Sequence, residues 1–327
     1  MLSGPDHRFK GKAYPALWAV LAAVLSIAAC TAAPPPSGSS QAAPQPSTGQ
    51  SQHAQQPEPV PSQRGRFDHV VIIVEENKPA ADVLGSASAP FINQLAADYA
   101  LAASYSAATH PSLPNYLALT GGTTAGITTD CLPTPGSCLA SGDSIAGEIS
   151  RSGRSWKMYA EGMPGPCSAE NSGLYAVKHN PFMYYPGLTA DAAGCAAHVV
   201  PFTEFARDLK TASTLPNYVF ISPDLCHDMH DCPIETGDAW LARQVPKILA
   251  SPAFTRQHSL LVITWDEGRG SRNKVAAIFA GSAAKKSYRS NTAYSHYSLL
   301  HTIEDAWALE PLTDNDRNAP VMNDMLR

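Results

Sequence analysis

The chain has 327 residues, of which 44% are hydrophobic and 16% are charged, and its formal net charge is −5. This composition is typical of a globular protein, and the lack of a basic excess argues against nucleic acid as a partner. The length accommodates one large domain or two small ones.

Residues 1–30 have the composition of an export signal. The basic start of this segment consists of His7, Arg8, Lys10 and Lys12. The apolar stretch Ala16–Ala29 follows, and its length of about fourteen residues is short for a membrane span. The stretch runs into Ile27-Ala28-Ala29-Cys30, which is similar to a bacterial lipobox, so we expect Cys30 to become the lipidated first residue of the mature protein. Ordinary secretory cleavage near Ala29 is the alternative.

Residues 31–65 consist mainly of Pro, Ser, Gln and Ala, with almost no large apolar side chains. Such a segment cannot bury a core, so we expect a disordered tether. Residues 66–327 then form the globular domain. We predict that this domain is exported, is held at the outer face of the cell membrane by the lipid anchor or is secreted, and is a monomer.

The globular part alternates between predicted strands and helices. In chain order, the patterns predict a strand at Phe67–Val74, a helix at Pro90–Tyr99, a strand at Leu101–Tyr105, helices at Ser112–Leu119 and Asp143–Ser152, a strand at Ser155–Tyr159, a strand at Asn217–Ser222, a helix at Ile234–Ala250, strands at Ser259–Trp265 and Lys274–Ala280, and a helix at Ser295–Leu309. The stretch Gly162–Val200 has no clear period and is predicted to be a long ordered excursion that walls a pocket. This alternation indicates a single α/β domain with a mainly parallel central sheet.

Acidic and amide residues follow three of the most apolar predicted strands. These residues are Glu75-Glu76-Asn77, Pro223-Asp224 and Asp266-Glu267. The carboxyl ends of parallel strands share one edge of a sheet, which is where α/β proteins bind ligands. We therefore expect these side chains to converge.

A hydroxyl group is predicted to join them at the same edge. Pro111 and Pro114 exclude a regular helix around His110, whereas the following residues predict a short helix that ends at Gly121-Gly122. Ser112 thus lies where a loop becomes a helix, beside unpaired N–H groups that suit a phosphate or an oxyanion. A simple helix N-cap role for Ser112 is the alternative.

The segment Pro223–Cys232 contains five Asp or His residues within eight positions, and four of them lie between Cys226 and Cys232. This density predicts a ligand or acid–base role, above all for Asp228, His230 and Asp231. Apart from Cys30, the chain has six cysteines, at positions 131, 138, 167, 195, 226 and 232. An even number in an exported protein indicates disulfides, and the short spacings favour Cys131–Cys138 and Cys226–Cys232, which leaves Cys167 with Cys195.

The candidate residues together suit phosphoryl transfer. Hard oxygen ligands come from Glu76, Asn77, Asp266 and Glu267. Such ligands suit a divalent cation, which would lower the pKa of the Ser112 hydroxyl and polarise a phosphoryl oxygen. The candidates for protonating the leaving group or holding the phosphate are His110, His179, His230 and His296.

Six motifs, in this order and at this spacing, resemble those of the phosphoesterase family. They are Val74–Asn77, His110–Tyr116, Asn180-Pro181, His227–Asp231, Thr264–Glu267 and Ser295–Tyr297. That family groups bacterial phospholipases C with acid phosphatases inside the alkaline-phosphatase superfamily. The resemblance extends over about Phe67–Met325, and it is greatest to compact secreted acid phosphatases of the mycobacterial type.

The resemblance implies a three-layer, alkaline-phosphatase-like α/β sandwich and a phosphatase that acts on phosphomonoesters. It implies that Ser112 is the nucleophile, through a phosphoseryl intermediate. It implies a divalent metal bound by Glu76, Asn77, Ser112, Asp266 and Glu267, and a site lined by Asp228, His230, Asp231 and His296.

Two other functions compete with this interpretation. A phospholipase C-type phosphodiesterase is the nearer alternative, but the chain lacks the long insertions of many such enzymes, which favours a monoesterase. We expect its substrate to be a phosphorylated small molecule or lipid headgroup. A lipoprotein that captures an anion or metal is the other, but no two-lobe pattern is present. A Gly-x-Ser-x-Gly elbow is also missing, which argues against a serine hydrolase.

Overall fold

The computed structural model describes residues 67–327. The predicted signal peptide, its lipidation site at Cys30 and the tether at 31–65 lie outside the described residues. Within residues 67–327, no helix has both the length and the apolar composition needed to cross a membrane.

One eight-stranded sheet organises the fold, in the order β4-β3-β5-β1-β6-β7-β2-β8. The strands are β1 (His69–Glu75), β2 (Ala100–Ser106), β3 (Trp156–Ala160), β4 (Val199–Pro201), β5 (Tyr218–Ser222), β6 (Ser259–Trp265), β7 (Lys274–Ala280) and β8 (Tyr288–Ser295). Strand β7 is antiparallel to both of its neighbours, and every other pairing in this sheet is parallel. The sheet is therefore mainly parallel, as predicted.

Helices cover both faces of the sheet. They are α1 (Ala80–Val83), α2 (Pro90–Asp98), α3 (Ser112–Gly121), α4 (Ile145–Arg151), α5 (Pro186–Thr189), α6 (Ala192–His198), α7 (Phe205–Asp208), α8 (Ile234–Leu249), α9 (Pro252–Arg256), α10 (His296–Trp307) and α11 (Asp314–Arg317). Helix α3 packs against α4 and α10, whereas α2 packs against α8 and α9 packs against α8 and β6. The result is the predicted three-layer α/β sandwich.

The core lies along the three central strands. Every residue of β1, β5 and β6 is buried, in agreement with their nearly continuous runs of apolar residues. Their register aligns Ile73 with Ile221 on one side and with Ile263 on the other. The carboxyl ends of these strands consequently lie side by side, as the sequence predicted.

Three disulfides fasten the loops around the domain. They join Cys131 to Cys138, Cys167 to Cys195 and Cys226 to Cys232. This pairing confirms the one that spacing favoured. The excursion Gly162–Val200 also contains regular structure that the sequence did not predict, namely α5, α6 and two 3₁₀ turns at Val177–His179 and Pro181–Tyr184.

Candidate active site

The site begins with Ser112, which is the first residue of α3 and is buried. Pro111 occupies the N-cap position, and the Ser112 hydroxyl instead donates to Glu76 Oε2 at 3.1 Å. The N-cap alternative for Ser112 is therefore wrong. The side chain of Asn115 holds the turn in place, since its Oδ1 accepts from the N–H groups of Ala108 and Thr109 at 3.0 and 2.9 Å.

Glu76 is at the centre of a buried chain of polar side chains. Its Oε1 accepts a short hydrogen bond from the hydroxyl of Tyr116, one helical turn after Ser112, and lies 3.3 Å from His179 Nε2. The other ring nitrogen of His179, Nδ1, lies 3.2 Å from Asp228 Oδ2. The ring of His179 also stacks on Tyr116, with centroids 5.4 Å apart. The loop after β5 is thereby linked to the end of β1 through one imidazole.

Asp266, at the end of β6, joins the same cluster. One of its oxygens, Oδ1, accepts from the N–H of Asn77 at 3.0 Å, and the backbone of Asn77 has a positive φ of 50°. An Asn tolerates this conformation better than most residues, and the conformation turns the chain directly after Glu76. The structure therefore brings Glu76, Asn77, Ser112 and Asp266 together, as the sequence predicted.

Several buried atoms of this cluster make no hydrogen bond to the described residues, and for His179 and Asp228 this means that their close contacts lack hydrogen-bond geometry. These atoms are Asn77 Oδ1, His179 Nε2, Asp228 Oδ2 and Asp266 Oδ2. Carboxylate and amide oxygens are preferred ligands of hard divalent cations, and imidazole is a common ligand of transition metals. Glu76, His179 and His230 also offer donor atoms that lie within 4.8 Å of one another. The donor set fits a divalent cation.

The electrostatics of the cluster agree with this interpretation. Burial raises the pKa of Glu76 well above its ordinary value, and the charges of Asp266 and Asp228 add to this effect. Burial also raises the pKa of Asp266 to about 7. Burial lowers the pKa of His179 far below its ordinary value, and the charge of Lys178 lowers it further. Buried carboxylates that crowd one another need positive charge, which a bound cation supplies.

The four candidate histidines have different surroundings. Both ring nitrogens of His296 are bonded to the protein, Nε2 to the Asp266 carbonyl at 2.6 Å and Nδ1 to the Tyr105 hydroxyl at 3.1 Å. His110 is 45% exposed and lies 2.6 Å from Glu267 Oε2 through Nδ1 and 3.2 Å from the Gly270 carbonyl through Nε2. The ring of His296 therefore positions Asp266, and the ring of His110 positions Glu267.

His230 is partly exposed and lines a cavity. Its Nδ1 lies 2.7 Å from Asp231 Oδ1, and its Nε2 lies 3.5 Å from Lys178 Nζ. His230 and Lys178 line a cavity of about 390 Å³. The other residues that line it include Asp130, Leu132, Tyr175 and Leu225. Asp231 itself is exposed, so its contact with the site is made through His230.

The hairpin between β6 and β7 is fastened to the loop that precedes Ser112. The side chain of Asn273 accepts from the N–H of Gly268 at 2.6 Å and donates to the carbonyl of Thr109 at 2.5 Å. The Asn273 carbonyl accepts from the N–H of Ala107 at 2.9 Å. The Ser112 turn and the Asp266-Glu267 segment are thus parts of one hydrogen-bonded unit.

Three residues of the site were not among the sequence candidates. Tyr116 contacts Glu76, Lys178 donates to Asp130 at 2.9 Å, and Asp130 in turn accepts from the N–H of Leu113 at 3.0 Å. The spacing of four residues between Ser112 and Tyr116 on one helix was a usable signal. Asp130 and Lys178 are brought to the site by long loops, and no local pattern indicates that.

Solved structures with a similar arrangement of strands and helices identify the fold. A protein of the alkaline phosphatase superfamily from Vibrio parahaemolyticus aligns with a TM-score of 0.55 at 11% identity, over 79% of this chain and 71% of that one. Murine ectonucleotide pyrophosphatase/phosphodiesterase 5 aligns with a TM-score of 0.53 at 12% identity, over 79% of this chain and 100% of that one. The architecture is that of the alkaline-phosphatase superfamily.

Sequence comparisons identify the family. A family model described as the phosphoesterase family matches residues 86–310, which include Ser112, Asp228 and Asp266 but begin after Glu76. The chain belongs to the phosphoesterase family, whose members hydrolyse phosphate esters.

Two curated relatives give the range of similarity. The phosphatidylinositol-3-phosphatase of Mycobacterium tuberculosis is 39% identical over 261 residues, which cover 79% of this chain and 83% of the relative. The phosphate-repressible acid phosphatase of Penicillium chrysogenum is 33% identical over 279 residues, which cover 81% of this chain and 65% of the relative.

Proposed function

We propose that this protein is an exported, membrane-tethered phosphatase that hydrolyses phosphomonoesters through a phosphoseryl intermediate, with assistance from a divalent cation. The position of Ser112 carries the proposal. Its buried hydroxyl donates to Glu76 at the start of a helix, on the sheet edge where Asn77 and Asp266 also lie. A hydroxyl in this position has a proton acceptor beside it, and the N-terminus of α3 favours developing negative charge.

The cation would be held by oxygen atoms of Glu76, Asn77, Ser112, Asp266 and Glu267. When bound, it supplies positive charge that stabilises the Ser112 alkoxide and polarises a phosphoryl oxygen. The unpartnered oxygens Asn77 Oδ1 and Asp266 Oδ2 support this ligand set. Two histidines support this ligand set from outside. His110 contacts the Glu267 carboxylate, and His296 contacts the backbone carbonyl of Asp266.

In the first step, the Ser112 oxygen forms a bond to phosphorus while the bond from phosphorus to the ester oxygen breaks. The hydroxyl proton passes to Glu76, which already accepts its hydrogen bond. The ester oxygen leaves as an alcohol and takes a proton from His230, whose ring Asp231 holds beside the cavity. In the second step, water attacks phosphorus and gives a proton to His230, the bond to Ser112 breaks, and Ser112 recovers its proton from Glu76.

The cavity beside His230 is the proposed binding site of the alcohol portion of the substrate. Leu132 lines it, and Leu174 lies between the lining residues Gly173 and Tyr175. Within residues 67–327, these two leucines are the large apolar side chains that are exposed, each at 45%. An apolar rim around a polar cavity suits a phosphomonoester on a lipid headgroup, and the similarity to a phosphatidylinositol-3-phosphatase supports this class of substrate.

An assay of three substrates tests the function. We expect turnover of a chromogenic phosphomonoester and of a dispersed phosphoinositide monophosphate, no phosphodiester cleavage of phosphatidylcholine, and loss of both activities with chelator. Added divalent metal should restore them. Cleavage of phosphatidylcholine to diacylglycerol would favour the phospholipase C alternative, and turnover of none of the three would favour the metal- or anion-binding lipoprotein.

We also propose that Cys30 carries the lipid anchor, because a basic segment and a short apolar stretch precede Ile27-Ala28-Ala29-Cys30. Mass spectrometry of protein recovered from membranes should show a diacylglyceryl group on an N-terminal Cys30. Cys30→Ser should shift the protein from the membrane fraction to the soluble fraction. A mature N-terminus downstream of Cys30 would contradict lipidation.

A further inference from the structure

A second group of possible metal ligands lies outside the site described above. Glu161 directly follows β3, and Asp224 and His227 lie in the loop after β5. One donor atom from each residue lies within 4.8 Å of the others. His227 Nδ1 is 2.9 Å from Glu161 Oε2 and 3.4 Å from Asp224 Oδ1. All three side chains are partly exposed, so an ion can reach them from solvent.

Glu75 provides an independent observation beside this group. Its carboxylate is fully buried, and neither of its oxygens has a hydrogen-bond partner in the part of the chain that the structure describes. The charges that act on it are those of Asp228, Glu161 and Asp238, which are all negative. A buried carboxylate with acidic neighbours and no hydrogen bond is costly unless a cation lies nearby.

Glu75 and Glu76 project to opposite faces of the sheet, because successive side chains of an extended strand alternate. Glu76 faces Ser112 and Tyr116 on α3. The charged groups that act on Glu75 are Asp228, then Glu161 and Asp238 of α8, and Glu161 Oε1 accepts from Trp240 Nε1 of the same helix at 3.1 Å. Glu75 therefore lies between Asp228 and the Glu161 group, on the side of β1 that faces α8.

We propose that Glu161, Asp224 and His227, with Glu75 behind them, form a second divalent-cation site that binds Zn²⁺. One imidazole and two carboxylates are a common ligand set for zinc, and solvent would complete the coordination. His227 would coordinate in its neutral form. The disulfide between Cys226 and Cys232 restrains the loop that carries two of the three ligands.

The cation would join the end of β3 to the loop after β5. The same loop carries Asp228, which contacts His179, and His230, which lines the cavity. The role of the cation is therefore structural: it would fix the loop that positions Asp228 and His230, while the chemistry takes place at Ser112.

Calorimetric titration of the chelator-treated full chain with Zn²⁺ tests the proposal. Wild type should bind two equivalents. In the wild type, the N–H groups of Cys226 and His227 donate to Asp224 Oδ1, and Asp224→Asn keeps an oxygen for them. This variant should bind one equivalent of Zn²⁺. His227→Asn should also bind one. Glu76→Gln should lose the other equivalent, and His301→Asn, which removes an imidazole bonded to the Ala319 carbonyl, should keep both.

A thermal melt of the same samples gives a second readout. Zinc should raise the melting temperature of Glu76→Gln, because a site outside the catalytic cluster still binds, and the rise should disappear when Asp224→Asn is added. Unchanged stoichiometry in both Asp224→Asn and His227→Asn would overturn the proposal. Loss of all zinc binding in Glu76→Gln would overturn it as well.

Discussion

Ser112→Ala is expected to lower phosphomonoester turnover by about a thousandfold or more, because the attacking oxygen is removed. The stability should change little. Loss of the hydrogen bond to Glu76 costs about 1 kcal/mol, and removal of a polar group from a buried site offsets part of it. Steady-state kinetics and a thermal melt measure the two effects.

Acid quench during turnover of a radiolabelled phosphomonoester provides the chemical readout. In wild type, phosphate should be trapped on the peptide that contains His110–Tyr116, and in Ser112→Ala it should not. Ser259→Ala is the matched control, since Ser259 is a buried serine at the opposite end of β6 that donates to the Ala253 carbonyl at 2.7 Å. Full activity in Ser112→Ala would make water the attacking group and refute the phosphoseryl proposal.

His230→Gln is expected to lower the turnover of an alkyl phosphomonoester by about a hundredfold to ten-thousandfold, the range for loss of a general acid. The reason is that an alkoxide is a poor leaving group unless it is protonated. The turnover of a nitrophenyl phosphate by His230→Gln should fall much less, because nitrophenolate departs without a proton. The ratio of kcat/KM between the two substrates is the quantity to measure.

His110→Gln serves as the comparison variant. His110 was also a sequence candidate, but its ring is bonded to Glu267 and Gly270. Its replacement should affect both substrates to the same degree. An unchanged substrate ratio in His230→Gln, or a larger change in His110→Gln, would exclude His230 as the proton donor.

The sequence predicted the centre of the sheet and missed both of its edges. Strands β1, β5 and β6 are buried on both faces, so their apolar runs are long and unmistakable. Strand β4 has three residues, and β8 has the largely polar sequence YRSNTAYS with several exposed side chains. Each pairs on one side only. Strand β4 is too short to form a recognisable pattern although Val199 and Val200 are buried, and the exposed side chains of β8 interrupt any continuous apolar signal.

A similar division applies to the site. Glu76, Asn77 and Asp266 were predictable because they directly follow buried strands, and strand direction alone places them at one edge. The functions of the histidines were not predictable. Tertiary packing separates His296 from His230: His296 is fully buried with its ring bonded to Tyr105 and to the Asp266 carbonyl, whereas His230 lines the cavity.

The hydrogen bonds of Asn273 have a consequence for how this enzyme can diversify. They make the β6–β7 hairpin and the Ser112 loop one unit, so an insertion at residues 268–272 would displace the nucleophile and the Asp266-Glu267 segment together. Residues 130–132 and 171–178 form a wall of the cavity beside His230, which the hairpin residues 268–272 do not line, and this wall is framed by its own disulfides. Loop exchange between relatives should therefore alter substrate preference on that wall, while the hairpin tolerates little change in length.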